Sequence, residues 1–343
     1  MAEKFSVFTE AKSGVNPFYV IPYAPSHSAA PVALLRGLLA AALLSLLLPL
    51  EALATALDGL HVPLGSALRQ LLCRPLAGAV LLCLGLGVQQ QEVRKESLAL
   101  RPPASRAAAA SQQQQGGELL VVNRCSYLDA LVLLSARGAG MAQLAANGQL
   151  ARQPLWQALA HSWRAGAAAP APAQGSASVL ASLQSPGASW AVLAIQPEGA
   201  PTNGKAILSL QSSPGLAVLA AAAAAAATPL PRLRLLGLHY SSTGDSGRFS
   251  PCYLGHASPL WHAYCLLTHG SASECQLASL PPAFDPIPSD FPAATAATEW
   301  PAALVHALEQ LLKRWGVRGV SADASKHAEF VALALGLGGK KAA

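Results

Sequence analysis

ELLVVNRCSYLD, residues 118–129, decides how the rest of the chain is read. Glu118 to Val122 is a short apolar run with Gly117 before it and Asn123 after it, the signature of a buried strand. From Tyr127 to Ala136, Leu128, Leu131, Val132 and Ser135 stand at helical spacing, so a helix is predicted to follow. The pattern returns downstream. WAVLAI at 190–195 reads as a second buried strand that stops at Gln196-Pro197-Glu198-Gly199, and LRLLGLHY at 233–240 reads as a third. Helices are predicted at Arg152–Trp163 and Ser178–Gln184, and over the alanine-rich 217–227. Strands alternating with helices indicate an α/β layer over 118–270.

Around this layer the composition shifts. Residues 1–31 form an irregular arm with prolines and aromatics, 32–100 are strongly apolar, and 101–117 (RPPASRAAAASQQQQGG) are a low-complexity linker. Residues 271–343 make a C-terminal helical region and basic tail. Its helix, PAALVHALEQLLKRW at 301–315, has Pro301 in the first turn, Gly316 after the end, and one face of Leu304, Ala307, Leu308, Leu311, Leu312 and Trp315.

Of 343 residues only 12% are charged and 52% are apolar, where a soluble domain carries about 25% charged. Met1 to Ser28 has no apolar core of a secretion signal, so a membrane contact has to come from within the chain. Gly37–Leu50 and Pro75–Val88 are charge-free, and each is about 21 Å long as a helix, against about 30 Å for a hydrocarbon core. The first extends back to Val32 if Arg36 snorkels, and Pro49 and Glu51 close it. These segments predict one inserted segment, or a shallow re-entrant hairpin made of both, with the termini on one side; two buried helices of a soluble domain are the alternative. The net charge of +6 with few interleaved aromatics fits an anionic membrane surface and no nucleic acid. Six cysteines without a C-x-x-C pair, and no His at ligand spacing, read as reduced cytosolic thiols with no metal site.

Two polar clusters, 123–129 and 196–205, each follow a predicted strand, and in open α/β sheets ligands bind at the carboxyl ends of strands. Glu198-Gly199 on a tight turn, followed by Asn203 and Lys205, offers an acceptor for hydroxyls and a cation for a phosphate; a plain turn with solvated tips has the same spacing.

The second cluster resembles the P-E-G-T block, and the first the N-H-x-x-x-x-D block, of the glycerolipid acyltransferases, which transfer a fatty acyl group from acyl-CoA to lysophosphatidic acid and related lysophospholipids. EKFS at 3–6 and GVNPF at 14–18 look like the start of a lysophosphatidic acid acyltransferase-like subgroup of the endoplasmic reticulum and lipid droplets, and VSADASKHAE at 320–329 is similar to a segment of the ancient ubiquitous protein type. The resemblance implies an acyltransferase-like sheet flanked by helices and preceded by one or two apolar membrane-associated helices. It also implies acyl-CoA as co-substrate, no bound cofactor and a lysophospholipid acceptor; the basic termini favour the cytosolic side. Lys340 and Lys341 resemble a dilysine retrieval signal.

In that family the His of the first block is the general base, and the Asp five positions on orients it. This chain has Arg124 at the His position and keeps Asp129. Arginine stays protonated and cannot accept the proton. Ala200 replaces the Thr of the other block, and the family's Arg-bearing block has no counterpart after Arg164. Carried over residue by residue, the resemblance assigns Asp129 and Arg124 to catalysis, the latter on an oxyanion or phosphate. It assigns Glu198, Gly199, Asn203 and Lys205 to substrate binding, and His161 and His239 are the candidates for a replacement base. Two functions follow: a lysophospholipid acyltransferase, or a non-catalytic member of the fold that binds lipid or partners at the membrane surface.

Overall fold

The computed structural model describes residues 6–18, 29–60, 64–93, 117–144, 150–163, 192–210, 213–225, 232–242, 251–255, 258–269, 273–281, 284–285 and 295–334. The predicted helix at 178–184, the linker up to residue 116 and both lysines of the tail lie outside them. In chain order the elements begin with helix α1 (Ala30–Gly59), α2 (Leu64–Leu68), a π-helical turn (Arg69–Cys73), α3 (Arg74–Cys83) and strand β1 (Leu86–Glu92). Then come β2 (Glu118–Val122), α4 (Asp129–Arg137), β3 (Gly140–Leu144), β4 (Leu150–Gln153), α5 (Leu155–Trp163), β5 (Val192–Ile195), β6 (Ala206–Ile207) and α6 (Pro214–Ala225). The chain continues through β7 (Arg232–Ser242), α7 (Pro259–Thr268), β8 (Ser273–Ser279), α8 (Ala296–Leu312), β9 (Arg318–Gly319) and α9 (Ala324–Ala334).

Seven strands form one mixed sheet in the order β1-β8-β7-β2-β5-β3-β4. Its centre, β7-β2-β5-β3, is parallel, as the alternation of strands and helices predicts. The flanks are not: β8 runs antiparallel to β7, β4 antiparallel to β3, and β1 parallel to β8. The sheet therefore recruits one strand from the apolar region before the linker and one from the C-terminal region, which holds β8 and β9 besides its helices.

Side chains leave the sheet alternately to two cores. Leu120, Val122, Leu236, Leu238 and Tyr240 pack against α3, α4, α7 and the inner face of α1. Leu119, Val121, Leu233 and Leu235 pack against α6 and α8. Gly237 lets α8 approach closely, because a Cβ there would stand 2.6 Å from a methyl of Leu312. A third, small core joins Phe8 and Phe18 of the N-terminal arm to Phe330 and Val331 of α9.

Several boundaries differ from the sequence reading. Pro75–Val88 is not one helix: α3 stops at Cys83, Gly85 turns the chain at φ +78°, and Leu86 to Val88 enter β1. Arg152 and Gln153 belong to β4, since a residue before a proline, here Pro154, disfavours the helical region. α4 starts at Asp129, two residues later than expected. α8 starts five residues before Pro301, because the fully buried Trp300 extends the stripe of Leu304, Leu308 and Leu311 by one turn.

Among the described residues, α1 and the stretch Leu64–Cys83 are the two helices long and apolar enough to cross a membrane. Arg36 does not snorkel: its Nε donates to the Cys83 carbonyl at 2.8 Å and a guanidinium nitrogen to the Leu267 carbonyl at 3.0 Å. All six cysteines are free thiols.

Candidate functional site

The two polar clusters meet. β2 and β5 are parallel neighbours, so the loops leaving their carboxyl ends, 123–128 and 196–205, lie side by side on one edge of the sheet. Residue 124 is clasped from three directions. Its backbone amide donates to one Glu198 carboxylate oxygen, its carbonyl accepts the Thr202 amide at 3.0 Å, and its guanidinium donates to the Gly199 carbonyl at 2.9 Å. Gly199 sits at φ +72°, where an L side chain is strained, and this presents its carbonyl to Arg124.

Glu198 is 4% exposed. Its other oxygen accepts the Leu208 amide at 2.8 Å, so both oxygens hold backbone of the facing loops. Burial pushes the carboxyl up to about 8, against those two amides and the Arg124 charge, which pull it down. Holding one backbone amide with each oxygen gives Glu198 a positioning role, beside the acceptor role that the resemblance implies for it.

Asp129 is as fully engaged. One oxygen accepts the Cys125 amide at 2.8 Å, the Ser126 amide at 3.1 Å and the Gln196 side-chain amide at 2.8 Å; the other accepts the Tyr240 hydroxyl at 2.7 Å. Burial raises its pKa and these four bonds lower it, with burial the larger cause. The carboxylate thus ties together the ends of β2, β5 and β7 and the first turn of α4. It orients backbone and a phenol, where the family pattern has it orient an imidazole.

Asn203 faces the N-terminal arm: its side chain donates to the Asn16 carbonyl at 2.9 Å and its backbone amide to the Pro17 carbonyl at 2.8 Å. It anchors the arm beside the site. Lys205, two residues on, is exposed and carries a cation on this edge.

Of the two histidines proposed as bases, the side chain of His161 lies outside what is described, and His239 leaves β7 on the opposite face from Tyr240 and Asp129. It stacks on Trp315 with ring centroids 4.9 Å apart and planes 10° apart. Burial lowers its pKa to about 4, with Arg314 and Lys205 adding to the effect against a hydrogen bond to Gly204. The unfolded chain takes up this proton near the ordinary value of about 6.5. Stability contributed by neutral His239 is therefore complete above about pH 6.5 and lost as pH falls toward 4. Urea midpoints measured from pH 7 to pH 4 should fall, and His239→Phe, which keeps the stack, should flatten the decline; an unchanged slope in the variant would put the titration elsewhere.

A third histidine was missed. His262 on α7 is buried, with Nδ1 3.3 Å from the hydroxyl of Tyr127 in the first loop. Its ring meets Tyr127 and Tyr253 edge-on at 5.6 and 5.3 Å, and the Tyr253 amide donates to the Cys125 carbonyl at 3.1 Å. Nothing local in the sequence marks this histidine, because its partner stands 135 residues away.

Compared with known proteins, the chain finds no counterpart: no family model, no curated protein and no solved structure matches it.

Proposed function

We propose that this chain is an acyl-CoA-dependent lysophospholipid acyltransferase, with lysophosphatidic acid as its acceptor, acting at the endoplasmic reticulum membrane or the lipid droplet surface. The observation that supports this reading is the junction of the N-R-C-S-Y-L-D loop with the P-E-G loop at the carboxyl edge of β2 and β5, where the resemblance to the glycerolipid acyltransferases needs its two blocks to meet.

In this reading the acceptor hydroxyl oxygen attacks the thioester carbon, the new C–O ester bond forms, and the C–S bond breaks. The hydroxyl proton passes to His262 and from there to the departing CoA thiolate, with Tyr127 holding the imidazole in place. The Arg124 guanidinium stabilises the oxyanion by its charge, and exposed Lys205 attracts the acceptor's phosphate. Asp129, Glu198 and Asn203 position these groups. The location of α7 fits a lipid substrate, because the helix that carries His262 packs on α1.

Purified protein in detergent tests the base. His262→Gln should lower kcat by about 10²–10⁴, the usual worth of a positioned base, and remove the acidic limb of the kcat–pH profile. Tyr127→Phe should shift that limb with a smaller loss. Wild-type turnover in a folded His262→Gln protein would remove His262 from the mechanism.

The second reading, a non-catalytic lipid-binding member of this fold, is favoured by one observation. Both carboxylates of the site are occupied by internal hydrogen bonds, and residue 124 cannot take a proton.

A further inference from the structure

The turn that closes α8 gathers cations around an aromatic pair. After Leu312 the chain tightens into a 3-10 turn, Lys313–Trp315, and Gly316 at φ +73° sends it back into β9. There the Arg318 amide donates to the Lys205 carbonyl at 3.1 Å, so two exposed cations leave adjacent stretches of backbone. Trp315 brings in a third: the guanidinium carbon of exposed Arg314 stands 4.0 Å from the centre of its indole ring, and the His239 imidazole stacks on the same indole. His239 bonds the backbone of Gly204 and feels the charges of both Arg314 and Lys205. Lys205, Arg314 and Arg318 therefore share one surface, and exposed Lys313 belongs to the same turn as Arg314.

Like charges held together repel, so a chain normally sets acids among them. Among the described residues none of these four cations meets a carboxylate, whereas Arg69, Arg152, Arg234 and Lys326 each do. Glu309, the acid that reaches β9, is held by the Gly319 amide. Arg314 is also oriented: it donates to the side-chain oxygen of Gln91 on β1 while its guanidinium lies on Trp315. It thus offers a flat, fixed cationic face to solvent. Guanidinium planes stack on nucleic bases, and lysine and arginine donors bind phosphate oxygens. A lipid headgroup brings phosphate without a flat ring and makes no use of a guanidinium fixed in plane. His239 leaves β7 on the face opposite Tyr240, so this surface stands apart from His262 and its partners.

We infer that this surface binds a purine nucleotide carrying two or more phosphates, with the base stacked on Arg314 and the phosphates held by Lys205, Lys313 and Arg318. Two sources supply that chemistry: a free nucleotide, or the adenosine end of the acyl-CoA in the proposed function. Only the assignment to CoA rests on that function; the site does not.

Titration calorimetry of the purified full chain with ADP, adenosine 3′,5′-bisphosphate and inorganic diphosphate tests it. Both nucleotides should bind about 5–100-fold more tightly than diphosphate, which has the charge without the base. Arg314→Lys keeps the charge and loses the plane, so it should bring both nucleotides down toward the diphosphate value. Lys205→Ser combined with Arg318→Ser should weaken all three. A bisphosphate bound more tightly than ADP assigns the site to CoA, whose adenosine carries that 3′-phosphate; the reverse order assigns it to a free nucleotide, and either order upholds the site. Absence of nucleotide binding overturns the inference. So do nucleotides bound no better than diphosphate, or an Arg314→Lys protein that melts and titrates like wild type. Flotation with phosphatidylserine vesicles that depends on Lys205 and Arg318, in protein that binds no nucleotide, would give the patch to a membrane surface instead. Binding is read without turnover, so an absence of acyl transfer, which would sink the proposed function, leaves this test standing.

Discussion

Asp129→Ala is expected to prevent stable folding of the sheet. The substitution strips the acceptor from four donors at once: two buried backbone amides, the Gln196 side chain and the Tyr240 hydroxyl. Each buried donor left unsatisfied costs about 1–3 kcal/mol. The loss is then on the order of 5 kcal/mol or more, comparable with the whole stability of an ordinary domain at about 5–15 kcal/mol. Limited proteolysis and thermal melts should show a chain cut freely within β2, β5 and β7. Asp129→Asn, which keeps one acceptor oxygen, should fold with a lowered melting temperature. A cooperative wild-type-like melt for the alanine variant would mean that the four bonds are not what holds the three strand ends together.

The second large effect is expected at residue 124. If the acyltransferase reading holds with His262 as base, Arg124→Ala should lower acyl transfer by about 10²–10³, the usual loss for a donor placed on a developing oxyanion. Arg124→His should not recover it, as the proton already has another destination. The contrary pattern is an inactive wild type that gains acyl transfer in Arg124→His. That would make the chain a degenerate enzyme whose only missing part is the base, and it would establish the second reading. Inactivity of every variant with lysophospholipid binding intact leads to the same conclusion for the wild type. Radiolabelled acyl-CoA and lysophosphatidic acid with purified protein give the readout in each case.

What the sequence disclosed and what it hid have physical reasons. ELLVV, VLAI and LRLLGLHY were readable as strands because central parallel strands are buried on both faces and so are apolar throughout. The meeting of the two polar loops followed from their position after neighbouring parallel strands. β1, with its run Gln89-Gln90-Gln91, and β8, with Glu274 and Gln276, were not readable, since strands at a sheet flank can carry polar residues on a face open to water. The inner stripe of α1, Ala33, Ala40, Leu47 and Ala54, is written at seven-residue spacing, yet leucines on the outer face mask it to any count of apolar residues. The engagement of Glu198 and Asp129 with backbone amides was hidden for another reason: a motif names the residue and leaves open which atoms it will meet.

The edge strand β1 pairs along its whole length with β8, Leu86 with Ser273 through Glu92 with Ser279. On a ribosome adding about 5–20 residues per second, β1 waits roughly ten to forty seconds for that partner to be made. α1 emerges earlier still, and its outward leucines stay exposed among the described residues. The order of synthesis therefore exposes the greasiest surface first and completes the sheet last. In the proposed membrane setting a newly made chain settles on lipid, or is shielded by a chaperone, before its sheet is complete, so that delivery to the membrane would precede folding.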